Sequence, residues 1–202
     1  MSLSRTENSG MIAGLLLTGG ASRRMGRDKA SLVLEGGLTC AQTVAMRLVE
    51  VADPVLEIGP GKSGLPAVVD EWPGEGPLAA LATGWKALNA IGYTGPVLLL
   101  ACDLPLMSVA LLELIARSPD DHTTVPMVDG RPQPLCARYA PSTLDLCAGL
   151  VAQGQRSLKV LLDLATVTWL EESAWSAVAG AHCFADIDTP EDVAMLLGPR
   201  ET

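Results

Sequence analysis

The sequence predicts an α/β fold: a mostly parallel sheet with helices packed on both faces. Two unbroken apolar runs, residues 11–17 (MIAGLLL) and Val97–Ala101 (VLLLA), read as strands buried on both sides. Between and after them, apolar residues recur at helical spacing. The resulting strand–helix–strand–helix–strand order, up to about residue 116, implies helical crossovers between parallel strands.

Taken in order, residues 11–17 end in Gly19-Gly20 after Thr18. Residues 39–51 follow as a helix with Val44, Leu48 and Val51 on one face. Residues 54–58 form a short strand and 67–69 another. A helix over 78–91 starts from Gly76-Pro77 and carries Leu81, Trp85 and Leu88 at helical spacing. Ser108 is the expected N-cap of a helix with Leu111, Leu112 and Ile115 on one face. Further on, strands are expected at 123–127, 135–139, Val167–Leu170 and 183–187, with helices at 141–152 and 157–164. A last helix has Thr189 as N-cap, Pro190 at its first position, and Glu191 and Asp192 in its first turn. Val193, Leu196 and Leu197 supply its buried face.

The 202 residues fit one domain. Its expected extent is 11–198, because no internal repeat or low-complexity linker interrupts it. Residues 1–10 (MSLSRTENSG) are polar, lack the apolar stretch of a signal peptide, and read as a disordered leader. No apolar run approaches the roughly 18 residues of a membrane span. The five cysteines are odd in number, never spaced CxxC, and several lie in apolar runs. That pattern fits small buried hydrophobes in a reducing cytoplasm rather than a disulfide framework or zinc site. A net charge of −9 argues against generic binding to nucleic acid or acidic membranes. Yet Arg23, Arg24, Arg27 and Lys29 crowd into seven residues, four of the fourteen basic residues, which points to a local anion site.

Ligands of an open parallel sheet bind beyond the carboxyl ends of its strands, and two such ends carry loaded sequences. After the first strand comes Leu17-Thr18-Gly19-Gly20-Ala21-Ser22-Arg23-Arg24-Met25-Gly26-Arg27-Asp28-Lys29. Glycines there let backbone N–H groups approach a ligand and form an anion-binding concavity, to which the basic side chains add charge. It is not a P-loop, since the GK[ST] ending is missing. Gly59-Pro60-Gly61-Lys62-Ser63-Gly64 matches GxGxxG, but Leu65-Pro66 and a β-like stretch follow instead of a helix, so it reads as a plain loop. At the second end, Asp103 follows the strand Val97–Ala101 directly, and Pro105 stops the strand. Its position suits either a Mg²⁺ ligand or a turn cap. Asp186 and Asp188, at i and i+2 of an expected strand, share a face and suit a second metal contact, acceptor binding or turn formation. Asp70 precedes the loop Pro73-Gly74-Glu75-Gly76-Pro77, which leads to a helix N-terminus able to face a base or phosphate. His122 and His182 are isolated, and no nucleophile–base pairing is evident.

These segments together resemble the molybdenum cofactor guanylyltransferase family, within the wider group of small-molecule nucleotidyltransferases. The carrying motifs are LTGGASRRMGRDK, DEWPGEGPLAAL, LLLACDLPLM, RPQPLCARY, GQRSLKVLL and DIDTPEDVAML, collinear from residue 11 to 197. The resemblance implies a Rossmann-like three-layer α/β/α fold of the nucleotide-diphospho-sugar-transferase type. It also implies Mg²⁺-dependent transfer of GMP from GTP to the phosphate of molybdopterin, with pyrophosphate released. By the same resemblance, Leu17, Thr18, Gly19 and Gly20 contact guanine and ribose, Lys29 the phosphates, Arg24 the triphosphate, and Asp70 the nucleoside. Asp103 binds Mg²⁺, while Arg156, Ser157, Asp186 and Asp188 lie towards the pterin. The implied partners are these small molecules, with transient contact to the proteins that make the cofactor.

Three departures stand out. Thr18 replaces the family's usual alanine, the stretch Glu57-Ile58-Gly59-Pro60 lacks a frequent Asn, and Asp186-Ile187-Asp188 replaces NxN before Thr189. The alternatives are a cytidylyltransferase or other small-molecule nucleotidyltransferase of the same fold, or a non-catalytic nucleotide or cofactor carrier. The second glycine of LTGG and the Asp103-Leu104-Pro105 sequence favour guanine over cytosine.

Overall fold

The computed structural model describes residues 12–19, 28–34, 36–119, 121–187 and 192. The expected leader, the expected closing helix apart from Asp192, and the site candidates Gly20, Arg24 and Asp188 lie outside the described residues. The central layer is a sheet whose first half is built from β1 (Ala13–Leu17), β2 (Val55–Ile58), β3 (Ala67–Val68) and β4 (Val97–Ala101). These strands are all parallel, in the spatial order β3-β2-β1-β4. The sheet continues through β7 (Cys136–Tyr139) and β5 (Thr123–Val128), with β6 (Arg131–Pro132) and β8 (Val167–Leu170) both paired to β5. Only β6 and β7 run against the rest, so the sheet is mostly parallel as expected.

Alternation along β1 and β4 explains the layering. Ala13, Leu15, Leu17, Val97 and Leu99 face a core shared with α2 (Pro77–Ala90), α5 (Cys147–Ala152) and α6 (Leu158–Leu164). Leu16, Leu98 and Leu100 face the opposite core, against α1 (Cys40–Val49) and α3 (Val109–Ala116). A strand with both faces apolar is therefore the middle of a three-layer sandwich. Local signals fix the helix starts. Thr39 and Gln42 form a reciprocal capping box on α1, with bonds of 2.9 and 3.2 Å. Ser108 caps α3 through the Leu111 N–H at 3.1 Å.

Two expectations are corrected. The helix expected at 141–152 is two segments, α4 (Pro141–Leu144) and α5, because the Leu146 N–H bonds Thr143 at i−3 and tightens the turn between them. The strand expected at 183–187 is instead a 3₁₀ turn, Ala181–Phe184, closed by i−3 bonds from Cys183 to Gly180 and from Ala185 to His182. Its apolar residues are buried by side-chain packing rather than by a ladder. Phe184 meets Trp175 edge-on, with ring centroids 5.3 Å apart, where α7 (Glu172–Trp175) covers that face. Asp186 is therefore not on a strand face but exposed in a coil. Among the described residues no helix is long and apolar enough to cross a membrane.

Candidate active site

The strand order reverses at β1. The chain adds β2 and β3 on one side of it and β4 on the other, so the loops leaving β1 and β4 diverge and open a crevice. Leu17 and Ala101 end the two strands in register. Just beyond, the Cys102 N–H still bonds the Leu17 carbonyl at 3.0 Å, which brings Thr18-Gly19 and Asp103 to one edge. A cavity of about 280 Å³ lies there, lined by Leu17, Thr18, Gly19, Asp28, Lys29, Asp70, Gly76, Pro77 and Asp103, among others. Residues distant in sequence thus converge on one space.

Lys29 begins a short 3₁₀ turn, Lys29–Ser31, and its Nζ lies 3.7 Å from Asp103 Oδ2. The two side chains are 22% and 26% exposed, buried enough to be held yet open to a ligand. The Asp103 carbonyl accepts the Ile187 N–H at 3.0 Å, so the stretch carrying Asp186 passes beside it. Burial, then the negative charge of Asp103, pushes the Cys40 thiol to about 11 and the Cys102 thiol to about 12. Both remain protonated at neutral pH and are unsuited to nucleophilic catalysis. All five cysteines are free and buried.

Asp70 also lines the cavity and accepts the Trp72 N–H at 3.0 Å and the Thr83 hydroxyl at 3.4 Å. Gly76, the N-cap of α2, has φ 97° and no room for a side chain, since a Cβ would sit 2.9 Å from the Arg156 carbonyl. That contact ties the 154–157 turn to the mouth of the cavity. The Arg156 guanidinium pairs with Glu75 and donates to the Val151 and Gln155 carbonyls at 3.0 and 2.8 Å. Ser157 is exposed and caps α6 through the Lys159 N–H at 3.1 Å. The structure thus brings Leu17, Thr18, Gly19, Lys29, Asp70 and Asp103 together, and sets Arg156 and Ser157 in a turn bordering the same opening.

Sequence reasoning missed the most heavily bonded carboxylate near the site. Glu57, on β2, has no exposed surface. Its Oε1 accepts the Thr18 hydroxyl at 2.5 Å and the N–H groups of Gly61 and Lys62 at 2.8 Å. Its Oε2 accepts the N–H and hydroxyl of Ser63 at 2.8 and 2.5 Å. Burial alone would raise this carboxyl, but the bonds from Ser63, Thr18 and the loop N–H groups outweigh it and hold it below the ordinary value. The GxGxxG-like stretch is indeed a plain loop, and the reason is physical: N–H groups that could cradle a phosphate are turned onto Glu57. The usable signal was a lone charge in a strand of a doubly covered sheet, followed within six residues by a hydroxyl and a glycine-rich turn.

The MobA-like NTP transferase domain model matches residues 14–172. A probable molybdenum cofactor guanylyltransferase of Mycobacterium marinum is 32% identical over 195 residues, 92% of this chain and 96% of that protein. One of the same description from Mycobacterium tuberculosis is 37% identical over 164 residues, covering 75% and 79%. Among solved structures, molybdopterin-guanine dinucleotide biosynthesis protein A of Archaeoglobus fulgidus superposes with a TM-score of 0.74 at 22% identity, covering 92% of this chain and 96% of that one. The architecture is that of the nucleotide-diphospho-sugar-transferase-like α/β/α folds.

Proposed function

Because the chain belongs to the MobA-like NTP transferase family and is a nucleotidyltransferase acting in molybdenum cofactor biosynthesis, we propose that it transfers GMP from GTP to the phosphate of molybdopterin and releases pyrophosphate. The observation that carries this reading is the Lys29–Asp103 pair, 3.7 Å apart, facing a cavity at the reversal of strand order. The N-terminal end of α2 opens onto the same cavity, and the partial positive charge of a helix start favours anions.

Transfer needs an acceptor phosphate oxygen to approach the α-phosphorus in line. The new P–O bond forms as the bond to the β-phosphate's bridging oxygen breaks, and the electron pair leaves with pyrophosphate. The acceptor phosphate is already ionised at neutral pH, so no strong general base is required. The protein's task is to align two anions and neutralise their charge. Lys29 would hold the phosphates and balance the charge growing on the leaving group. Arg24, outside the described residues, would add a second cation. Leu17, Thr18, Gly19 and Gly20 would contact guanine and ribose, with Asp70 helping to hold the nucleoside. Arg156, Ser157, Asp186 and Asp188 would lie towards the pterin.

The residues present fit Mg²⁺. Asp103 is a partly exposed carboxylate on the cavity wall, and Mg²⁺ commonly takes one or two carboxylates and fills its octahedron with phosphate oxygens and water. Bound through Asp103, the ion would supply charge neutralisation across the phosphates. The free, buried thiols accord with a cytoplasmic enzyme.

Thermal melting with Mg²⁺ and each of GTP, CTP, ATP and UTP tests the nucleotide assignment. At a concentration a hundredfold above Kd, a ligand bound only by the native state adds about 2.7 kcal/mol. For a chain of this size that corresponds to a rise of about 5–10 °C. The expected result is such a rise with GTP alone. A rise with CTP instead moves the assignment to cytidylyl transfer, and no rise with any nucleotide sinks the reading.

A further inference from the structure

We propose that the loop from Gly59 to Gly64 is a brace that fixes both ends of the nucleotide loop, with Glu57 and Lys62 as its positioning residues. The inference rests on the reading of 18–29 as the nucleotide loop. At the near end, the Thr18 hydroxyl is held by Glu57. At the far end, Asp28, directly before Lys29, pairs with the Lys62 side chain. The Lys62 backbone N–H is itself bonded to Glu57. One short loop therefore ties down two points ten residues apart in sequence and anchors both to a carboxylate on β2, the strand beside β1.

Three observations support positioning rather than direct contact. Glu57 is fully buried and takes five hydrogen bonds, so it has no capacity left to read a base or hold a metal. Gly59, at φ 151°, lies so close to the nucleotide loop that a Cβ would come within 2.1 Å of Thr18 Oγ1 and 3.1 Å of the Gly19 nitrogen. Asp28 is doubly engaged, by Lys62 and by the Ser31 hydroxyl at 2.6 Å. The brace also explains two departures from the family pattern. A hydroxyl at position 18 belongs with a carboxylate at 57, and no side chain, an Asn included, fits at 59. Its consequence is that Lys29 is held at a set distance from Asp103 before any nucleotide arrives.

The rival role for Lys62 is to bind the phosphates itself. A double-mutant cycle separates the two, read as the Kd for GTP with Mg²⁺ by calorimetry on Lys62→Ala, Asp28→Ala and the double variant. The brace predicts about tenfold weaker binding in each single variant, a size within the range of couplings measured inside one salt-bridge network. The double variant should be no weaker than either single one. Lys62→Arg should restore most of the affinity, and melting points should stay close to wild type because the pair is partly exposed. Effects that multiply in the double variant, or unchanged Kd in the singles, overturn the brace. A wild-type chain that binds no nucleoside triphosphate would instead overturn the nucleotide reading beneath it.

Discussion

Asp103→Asn will lower turnover by about 100- to 1000-fold, the range seen when one preorganised electrostatic contact to a transition state is removed. The change deletes the charge that would hold Mg²⁺ on the proposed reading while keeping the shape of the side chain. Folding should be nearly untouched. The Lys29–Asp103 pair is 3.7 Å long and partly exposed on both sides, and such pairs contribute at most about 1 kcal/mol. The substitution therefore separates chemistry from stability, with kcat falling and Tm holding. Undiminished activity would discard the metal assignment, while a large fall in Tm would mean that the pair is a structural element.

Glu57→Gln should have the opposite signature, with stability lost first. The buried carboxylate accepts five bonds, and an amide in its place turns an NH₂ donor against donors from the loop. Leaving buried donors unsatisfied costs about 1–3 kcal/mol, more when the lost acceptor was charged, so a loss of about 3 kcal/mol is expected from chemical denaturation. The pH dependence has a definite sign. The folded carboxyl lies below its ordinary value of 4.5, so its contribution is complete above about 4.5 and is lost as pH falls through the lower, folded value. Wild type should therefore lose this component on acidification, and the Gln variant should show a shallower decline over the same range. Equal slopes would mean that Glu57 is not a stabilising charge.

Much of this was legible in the sequence because the responsible interactions are local. The runs forming β1 and β4 are wholly buried, so every residue in them had to be apolar. Ser108 announced its helix because a cap and its N–H partner lie three residues apart. Asp103 was legible because the end of a buried parallel strand is where such a sheet binds ligands. What escaped depended on contacts across the fold. The 3₁₀ turn Ala181–Phe184 has the apolar composition of a strand, and only its packing on Trp175 decides otherwise. Nothing near Glu57 in sequence says that Thr18, thirty-nine residues earlier, donates to it. The Lys62–Asp28 pair joins two loops that sequence reading treated separately. The pairing of Arg156 with Glu75 and the approach of its carbonyl to Gly76, which place it beside the start of α2, likewise join segments far apart in sequence.

Guanylyl transfer is measured by incubating the chain with Mg²⁺, molybdopterin and GTP and following pyrophosphate release together with the guanylylated pterin. The expected result is one pyrophosphate per pterin modified, dependent on Mg²⁺ and on GTP, with CTP a poor substitute. Product formed from CTP in preference to GTP, or no product from either while GTP still binds, would contradict it.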